Sequence, residues 1–556
     1  MSYIRTDLTE MIEGHQPLEH AHPAETDPGT FSSELPVYSI DDIANQLTND
    51  FWGGTTYSFD VSTRDALTVD LSALAENGQN MARIALEAWS EVTGLAFLER
   101  TDSQLTPSAL IYETVDAASG TFTAYSMSVG ENFEGSLSGG ADRDAIAVSL
   151  VAGQSITIAL DGDDRNGNAL ADPFLRLRDD TGTLIFENDD ANGVNSMLSF
   201  QAPTSGTYYI QAGAYLDGFL GDYTLSVRET ISPADITFQD AAAGAYAQFW
   251  TSGTTITRAT INIDETWAGG SDRLDGYFYQ TYLHEIGHAL GLGHAGDYNG
   301  SADFGTDNTY LNDSLQASVM SYFHQTENTW LDASFAYAIT PQVADIVAVQ
   351  NLYGTAENRT GDDTYGHNAN TGGYLDGALS LSNPVTFTVF DTGGADVFDF
   401  SEFSANQTMD LREEAYSDLA GLTGNIGIAR GTIIEYGLTG NGDDAIFGNA
   451  SNNGLSAGDG ADVVSGDDGN DAIRGQEGDD TIAGNNGRDI VEAGNGNDAV
   501  LGGNDGDLLI GDDITFAQLI ELFPTWTPEV DSQALFDGGD LLAVWDDIMD
   551  DVFGFA

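Results

Sequence analysis

Three imidazoles and one carboxylate, His284, Glu285, His288 and His294, fall within eleven residues of a chain that has only eight His. The pattern from Tyr277 to Leu290 is that of an amphipathic helix, and residues four apart on a helix share a face. His284 and His288 therefore point the same way and can grip one metal ion, while Glu285, one residue along, can reach a water on it. Gly291 permits the left-handed backbone that ends a helix. The chain can then turn back and offer His294 as a third nitrogen. Three imidazoles with one open position suit a catalytic zinc rather than a closed structural one. Such a metal lowers the pKa of its water and polarises a carbonyl. Glu285 would take the water's proton and pass it to a leaving amine. The reaction implied is hydrolysis of a peptide bond.

The spacing His-Glu-x-x-His, Gly291, His294, followed downstream by Ala317-Ser318-Val319-Met320-Ser321-Tyr322-Phe323, resembles the metzincin metallopeptidases and, among them, the serralysins. The resemblance assigns Met320 to an apolar base beneath the zinc ligands. It assigns Tyr322 to a phenol that can ligate the resting metal and swing away to stabilise the tetrahedral intermediate. The plainer roles are a core side chain for Met320 and a turn residue for Tyr322. Ala295 stands where serralysins usually carry Pro after the third His, a departure that removes no ligand.

A second pattern begins near Thr439 with a period of nine. Its sixth position holds Asp444, Asn453, Asp462, Asp471, Asp480, Asp489, Asp498 and Asp507. Its eighth holds Ile446, Leu455, Val464, Ile473, Ile482, Val491, Val500 and Leu509. The fourth is mostly Gly, although Asp505 takes that place in the last unit. This is the calcium-binding nonapeptide pattern of a parallel β-helix. Gly-rich half-turns expose carbonyls, and the seven aspartates complete oxygen cages between adjacent turns. The aliphatic residues stack inward. Such units are stable only when stacked, so the array should unfold without calcium.

Composition narrows the partners. Acidic residues number 89 against 16 basic ones, a formal charge of −73, which argues against binding nucleic acid or an anionic membrane surface. No Cys is present, so neither a disulfide nor a thiol switch is available; proteins held by calcium outside the cell need neither. No apolar stretch approaches a membrane span. The N-terminal residues lack the basic and apolar regions of a cleavable signal. The acidic-then-apolar ending Asp550-Asp551-Val552-Phe553-Gly554-Phe555-Ala556 resembles the uncleaved type I export signal of the serralysins.

The elements that must position these residues follow in order. Residues 1–35, with three Pro and three His, read as a flexible leader or short propeptide. A first part of the catalytic domain spans 36–128, with a capping box at Ser39 and Asp42. It continues with a strand over 55–61, a helix carrying Met81, Ile84, Ala85, Ala88 and Trp89, and a strand over 95–98. From 129 to 229 short alternating strands with Gly/Asp turns predict a β-sandwich. Asp172-Pro173-Phe174-Leu175-Arg176-Leu177 and Gly221-Asp222-Tyr223-Thr224-Leu225 make it resemble a bacterial pre-peptidase C-terminal domain, here inserted at a surface loop. A polar turn at Asp161, Asp163, Asp164 and Asn166 is the plainer alternative to a calcium site there. Residues 230–354 complete the catalytic domain, with an edge strand near Ala245–Phe249 able to pair with an extended substrate and a helix opened by Pro341. Residues 355–438 form a linker and the start of a C-terminal β domain, 439–513 the repeats, and 514–556 a cap and export signal.

The expected fold is thus multidomain: an α+β metzincin-type catalytic domain with a β-sandwich insert, followed by a calcium-binding parallel β-helix (β-roll). The expected function is that of a secreted, monomeric, calcium-dependent zinc endopeptidase acting on proteins or peptides and exported by a type I apparatus. The alternative is a non-catalytic calcium-binding or adhesion protein with a degenerate peptidase domain. The intact Glu285 counts against it, since a pure zinc scaffold has no need of that carboxylate.

Overall fold

The computed structural model describes residues 35–511, except 63, 65, 101–108, 164–166, 192, 230–233, 267–269, 271 and 505. The leader up to residue 34, the export signal and cap, and Asp164 and Asn166 of the acidic turn lie outside the described residues. The chain divides into two units, one formed by Met1–Leu98 with Asp235–Ala556 and the other by Glu99–Ala234.

The first unit opens with helix α1 (Ile40–Asn45), whose Ser39–Asp42 capping box forms as the sequence suggests. Helix α2 (Glu76–Thr93) buries Met81, Ala82, Ala85, Leu86, Ala88 and Trp89 along one face and stops at Gly94, whose φ of 70° is left-handed. Six strands make one sheet: β1 (Ser58–Phe59), β2 (Ala66–Ala73), β3 (Ala96–Glu99), β4 (Ile236–Gln239), β5 (Ala245–Ser252) and β6 (Thr255–Ile263). Their order is β1-β6-β4-β2-β3, with β5 paired to β6. The central pairings are parallel, whereas β5 runs antiparallel to β6. The strand expected over 55–61 is only two residues long, because its pairing reaches just Thr255 and Ile256. Helix α3 (Tyr277–Ala289) carries two of the histidines and packs on α2, where Trp89 Nε1 donates to the Leu283 carbonyl at 3.0 Å. Helix α4 (Val343–Tyr353) starts two residues after Pro341, with Gln342 as its N-cap. Its buried run, Val343 to Val349, is longer than the short apolar stripe read from sequence.

The second unit holds two five-stranded sheets that share one core. One has the order Leu184–Asn188, Pro173–Arg178, Gly206–Ala214, Asp144–Leu150, Ser126–Met127. The other runs Ser196–Gln201, Ser155–Gly162, Gly221–Glu229, Asn132–Leu137, Leu110–Tyr112. Strict alternation along Pro173–Arg178 and Gly221–Glu229 sends Leu175, Leu177, Tyr223, Leu225 and Val227 inward. The sequence reading assigns 110–127 to the catalytic domain. Those residues instead supply one strand to each sheet, pairing parallel with Asn132–Leu137 and Asp144–Leu150. Strands of two or three residues are too short to show a period.

Beyond α4 the chain winds through parallel strands. A seven-stranded sheet runs Thr364–Gly366, Val397–Asp399, Tyr436–Leu438, Gly454–Asp459, Ala472–Glu477, Ile490–Glu492, Leu508–Ile510. A five-stranded sheet takes the alternate units: Thr408–Asp410, Ala445–Phe447, Val463–Ser465, Thr481–Asn486, Ala499–Asn504. Gly454 pairs with Ala472 and Ala472 with Ile490, a step of two nonapeptides. This is a β-roll-like region, and its first strands lie upstream of the repeats. Ile446, Leu455, Val464, Ile473, Ile482 and Val491 are all buried, whereas Leu509 in the last unit is exposed. Ile473→Ala should destabilise the folded protein by about 2–5 kcal/mol through lost contact and a residual cavity, read as a lowered urea midpoint.

Candidate metal centre

Helix α3 brings His284 and His288 onto one face, and the turn after it returns His294. One nitrogen of each ring lies within 4.8 Å of the others. His288 Nε2 and His294 Nε2 are 3.0 Å apart. On two of the rings the other nitrogen is engaged: His284 Nδ1 faces the Val319 carbonyl at 2.8 Å and His288 Nδ1 the Leu292 carbonyl at 2.8 Å. A carbonyl can only accept, so both rings carry their proton on Nδ1 and leave Nε2 bare. Burial pushes all three imidazoles toward the neutral form, His294 to about 3. Neutral, convergent Nε2 donors are the set a divalent metal needs.

Glycine makes this packing possible at two positions. Gly291 has a φ of +106°, and a Cβ there would lie 2.2 Å from the Tyr57 carbonyl oxygen. Gly287, between His284 and His288, faces Met320: a Cβ would sit 2.6 Å from Met320 Sδ and 3.2 Å from Trp89. Met320 is fully buried.

Glu285 is 5% exposed, and its Oε2 has no hydrogen-bond partner among the described residues. Burial pushes its carboxyl up to about 8, with the Ala247 N–H on β5 partly offsetting it. Tyr322 is half-buried beside the histidines, its ring 4.5 Å from that of His294 and its hydroxyl accepting the Gly300 N–H at 3.2 Å. These side chains line a cavity of about 380 Å³ with Phe51, Trp52, Asn299 and the edge strand β5 from Ala245 to Phe249. Tyr298, which sequence reading passed over, packs on Tyr322 and donates to the buried Asp313. Also missed is Asp345 at the start of α4, which bonds the turn before Met320. Its only sequence signal is its place three residues after the N-cap Gln342.

The repeat aspartates form two ladders. Asp462 Oδ1 accepts the Asp444 N–H at 2.8 Å, Asp480 the Asp462 N–H at 3.0 Å and Asp498 the Asp480 N–H at 3.0 Å. In the other ladder Asp471 accepts from Asn453, Asp489 from Asp471 and Asp507 from Asp489. Oδ2 of Asp444, Asp462, Asp471 and Asp480 is buried with no hydrogen-bond partner among the described residues. Burial raises Asp471 to about 8, Asp462 to about 7 and Asp480 to about 6, and neighbouring carboxylates add to the rise. Asp498 and Asp507, near the end of the described roll, are half-buried.

Residues 354–506 match the family model described as peptidase M10 serralysin C terminal, and 142–214 match the bacterial pre-peptidase C-terminal domain. Among curated proteins, the chain is 42% identical over 195 residues to a serralysin of Photorhabdus luminescens, covering 34% of this chain and 40% of that protein. It is 45% identical over 186 residues to metallopeptidase AprA of Pseudomonas marginalis, covering 32% and 39%. It is 36% identical over 261 residues to metalloprotease AprA of Pseudomonas entomophila, covering 42% and 54%. The chain thus spans about two fifths to about half the length of these relatives. A solved pre-peptidase C-terminal domain of a Bacillus anthracis collagenase aligns at 24% identity over 19% of this chain and 93% of its own, with a TM-score of 0.16. Fold and site together show a multidomain α+β protein with a cluster of three histidines able to hold a metal. Residues 354–506 are thus similar to the C-terminal part of serralysins, and 142–214 to a bacterial pre-peptidase C-terminal domain.

Two outcomes follow. Gly287→Ala should displace Met320 and lower zinc affinity at least tenfold, measured by competition with a chelator. In cation-free buffer the ladder acids, raised in the folded state, bind more protons there than when unfolded. Stability should therefore be greatest below about pH 4 and fall as pH rises through about 6 to 8. Urea midpoints across that range check the sign.

Proposed function

We propose that the protein is a secreted, calcium-dependent zinc endopeptidase. The observation that carries this reading is the unpartnered Glu285 oxygen beside three convergent, neutral imidazoles in an open cavity. Zinc held by His284, His288 and His294 would supply Lewis acidity to water and to the scissile carbonyl. Glu285, whose carboxyl burial raises to about 8, would accept the water's proton in its ionised form and return it to the leaving amine. The phenol of Tyr322, released from Gly300, donates to the oxyanion that develops on the substrate. Strand β5 offers its free edge to an extended peptide, which binds through backbone hydrogen bonds and so places many sequences in the same register.

The acidic ladders are read as calcium sites. Asp444, Asp462, Asp471, Asp480, Asp489, Asp498 and Asp507 lie beside Gly-rich turns; a Cβ on Gly466 would fall against Asp471 and one on Gly475 against Asp480. Oxygen donors packed this tightly suit a hard cation of flexible coordination. The same reading makes the protein an extracellular monomer exported by a type I apparatus and cleaving proteins or peptides, with no nucleic-acid partner. Among the described residues no helix is long and apolar enough to cross a membrane.

Casein cleavage by purified protein, with metal content measured alongside, tests the assignment. Wild type should carry close to one zinc and lose hydrolysis when calcium is removed. Glu285→Gln should keep the zinc and lose at least a thousandfold in kcat. Unchanged hydrolysis in that variant would sink the role given to Glu285. Bound zinc in wild type with no cleavage of any unfolded protein would favour the non-catalytic alternative.

A further inference from the structure

Asp345 shares no hydrogen bond with the three histidines, yet it ties the start of α4 to the turn before Met320. It is fully buried. One oxygen accepts the Ser318 hydroxyl at 2.6 Å; the other accepts the N–H of Val319 at 2.7 Å and of Gln342 at 2.8 Å. Ser318 Oγ accepts in turn from the Met320 N–H at 3.0 Å. Val319 passes the constraint on, since its carbonyl is the partner of His284 Nδ1 at 2.8 Å.

An acid at the third position of a helix commonly bonds the N-cap N–H and nothing more. The Gln342 contact meets that need. The bonds to Ser318 and Val319 serve something else, because they cross to another segment. A buried carboxylate is costly unless donors satisfy it, and here the donors belong to the turn that holds His284. Pinning the N–H of Val319 fixes the direction of its carbonyl. An imidazole has two soft torsions, and a hydrogen bond at Nδ1 settles both. The plane of His284, and so the aim of Nε2, depends on where Asp345 holds Val319.

We propose that Asp345 is a positioning residue of the metal centre, acting through Val319 on the orientation of His284 and thereby on metal affinity. This rests on reading the three histidines as the metal site. The test uses the full, calcium-loaded chain with three variants: Asp345→Asn, Ser318→Ala and Gln342→Ala. The last removes side-chain bonds to Thr340 and Thr386 and leaves the Asp345–Val319 bond in place. Zinc affinity is measured by chelator competition, and ligand geometry by the visible absorption bands of the cobalt-substituted protein.

Asp345→Asn should lower zinc affinity about 10–100-fold, the range found when a ligand's hydrogen-bond partner is lost, and shift the cobalt bands. Ser318→Ala should move both in the same direction by less, and it carries the test if Asp345→Asn does not fold. Gln342→Ala should lower Tm and leave zinc affinity and the cobalt bands as in wild type. Wild-type affinity and spectrum in folded Asp345→Asn, or an equal shift in Gln342→Ala, would overturn the proposal. Wild-type protein that binds neither zinc nor cobalt would instead overturn the reading of the histidines beneath it.

Discussion

Everything at the metal centre depends on how closely the Met320 turn approaches helix α3. The approach is possible because residue 287 has no side chain: Met320 Sδ occupies the space a Cβ would need. It places the Val319 carbonyl within hydrogen-bond reach of His284. It also fills the volume beneath the histidines with apolar surface. Dense packing of this kind passes displacement on rather than absorbing it. A small shift of the turn therefore becomes a shift of a ligand.

The turn is in turn fixed from outside the six-stranded sheet. Gln316 Nε2 donates to the Gly424 carbonyl at 2.9 Å, and the Thr388 N–H reaches Thr340 Oγ1 at 2.8 Å. Gly427 packs on Val343 at the start of α4, with no room for a Cβ. These contacts come from strands that lead into the parallel sheets. They lie in the same unit as the histidines, so the base of the metal centre and the entrance to the roll share one core. Whatever orders the roll also steadies the floor of the site.

The sequence was readable where chemistry and period coincide. His284, His288 and His294 declare themselves by spacing, and a turn of two nonapeptides keeps the repeat aspartates in register. Legibility failed where partners are distant in sequence. Residues 55–61 look like a strand, but only Ser58 and Phe59 find a neighbour. Residues 110–127 carry too few alternating positions to show that they join the sandwich. Asp345 looks like an ordinary first-turn acid, and its bond to Val319, 26 residues away, has no local signature.

The charge of −73 and the fold can be reconciled by asking where the carboxylates lie. Exposed acids in water at ordinary ionic strength repel only weakly beyond about 10 Å. The ladder acids are different. Asp462, Asp471 and Asp480 are buried, with a backbone N–H on one oxygen and a second oxygen that no described residue satisfies. Desolvation, not the summed surface charge, dominates their raised pKa values. A proton or a cation can relieve that strain. At neutral pH the proton is only partly available, whereas a divalent ion shared between adjacent turns neutralises two carboxylates at once. Each step of either ladder is eighteen residues long, so an ion held there would be a joint between successive turns. Order gained in the roll would then reach the three histidines through the core the two regions share.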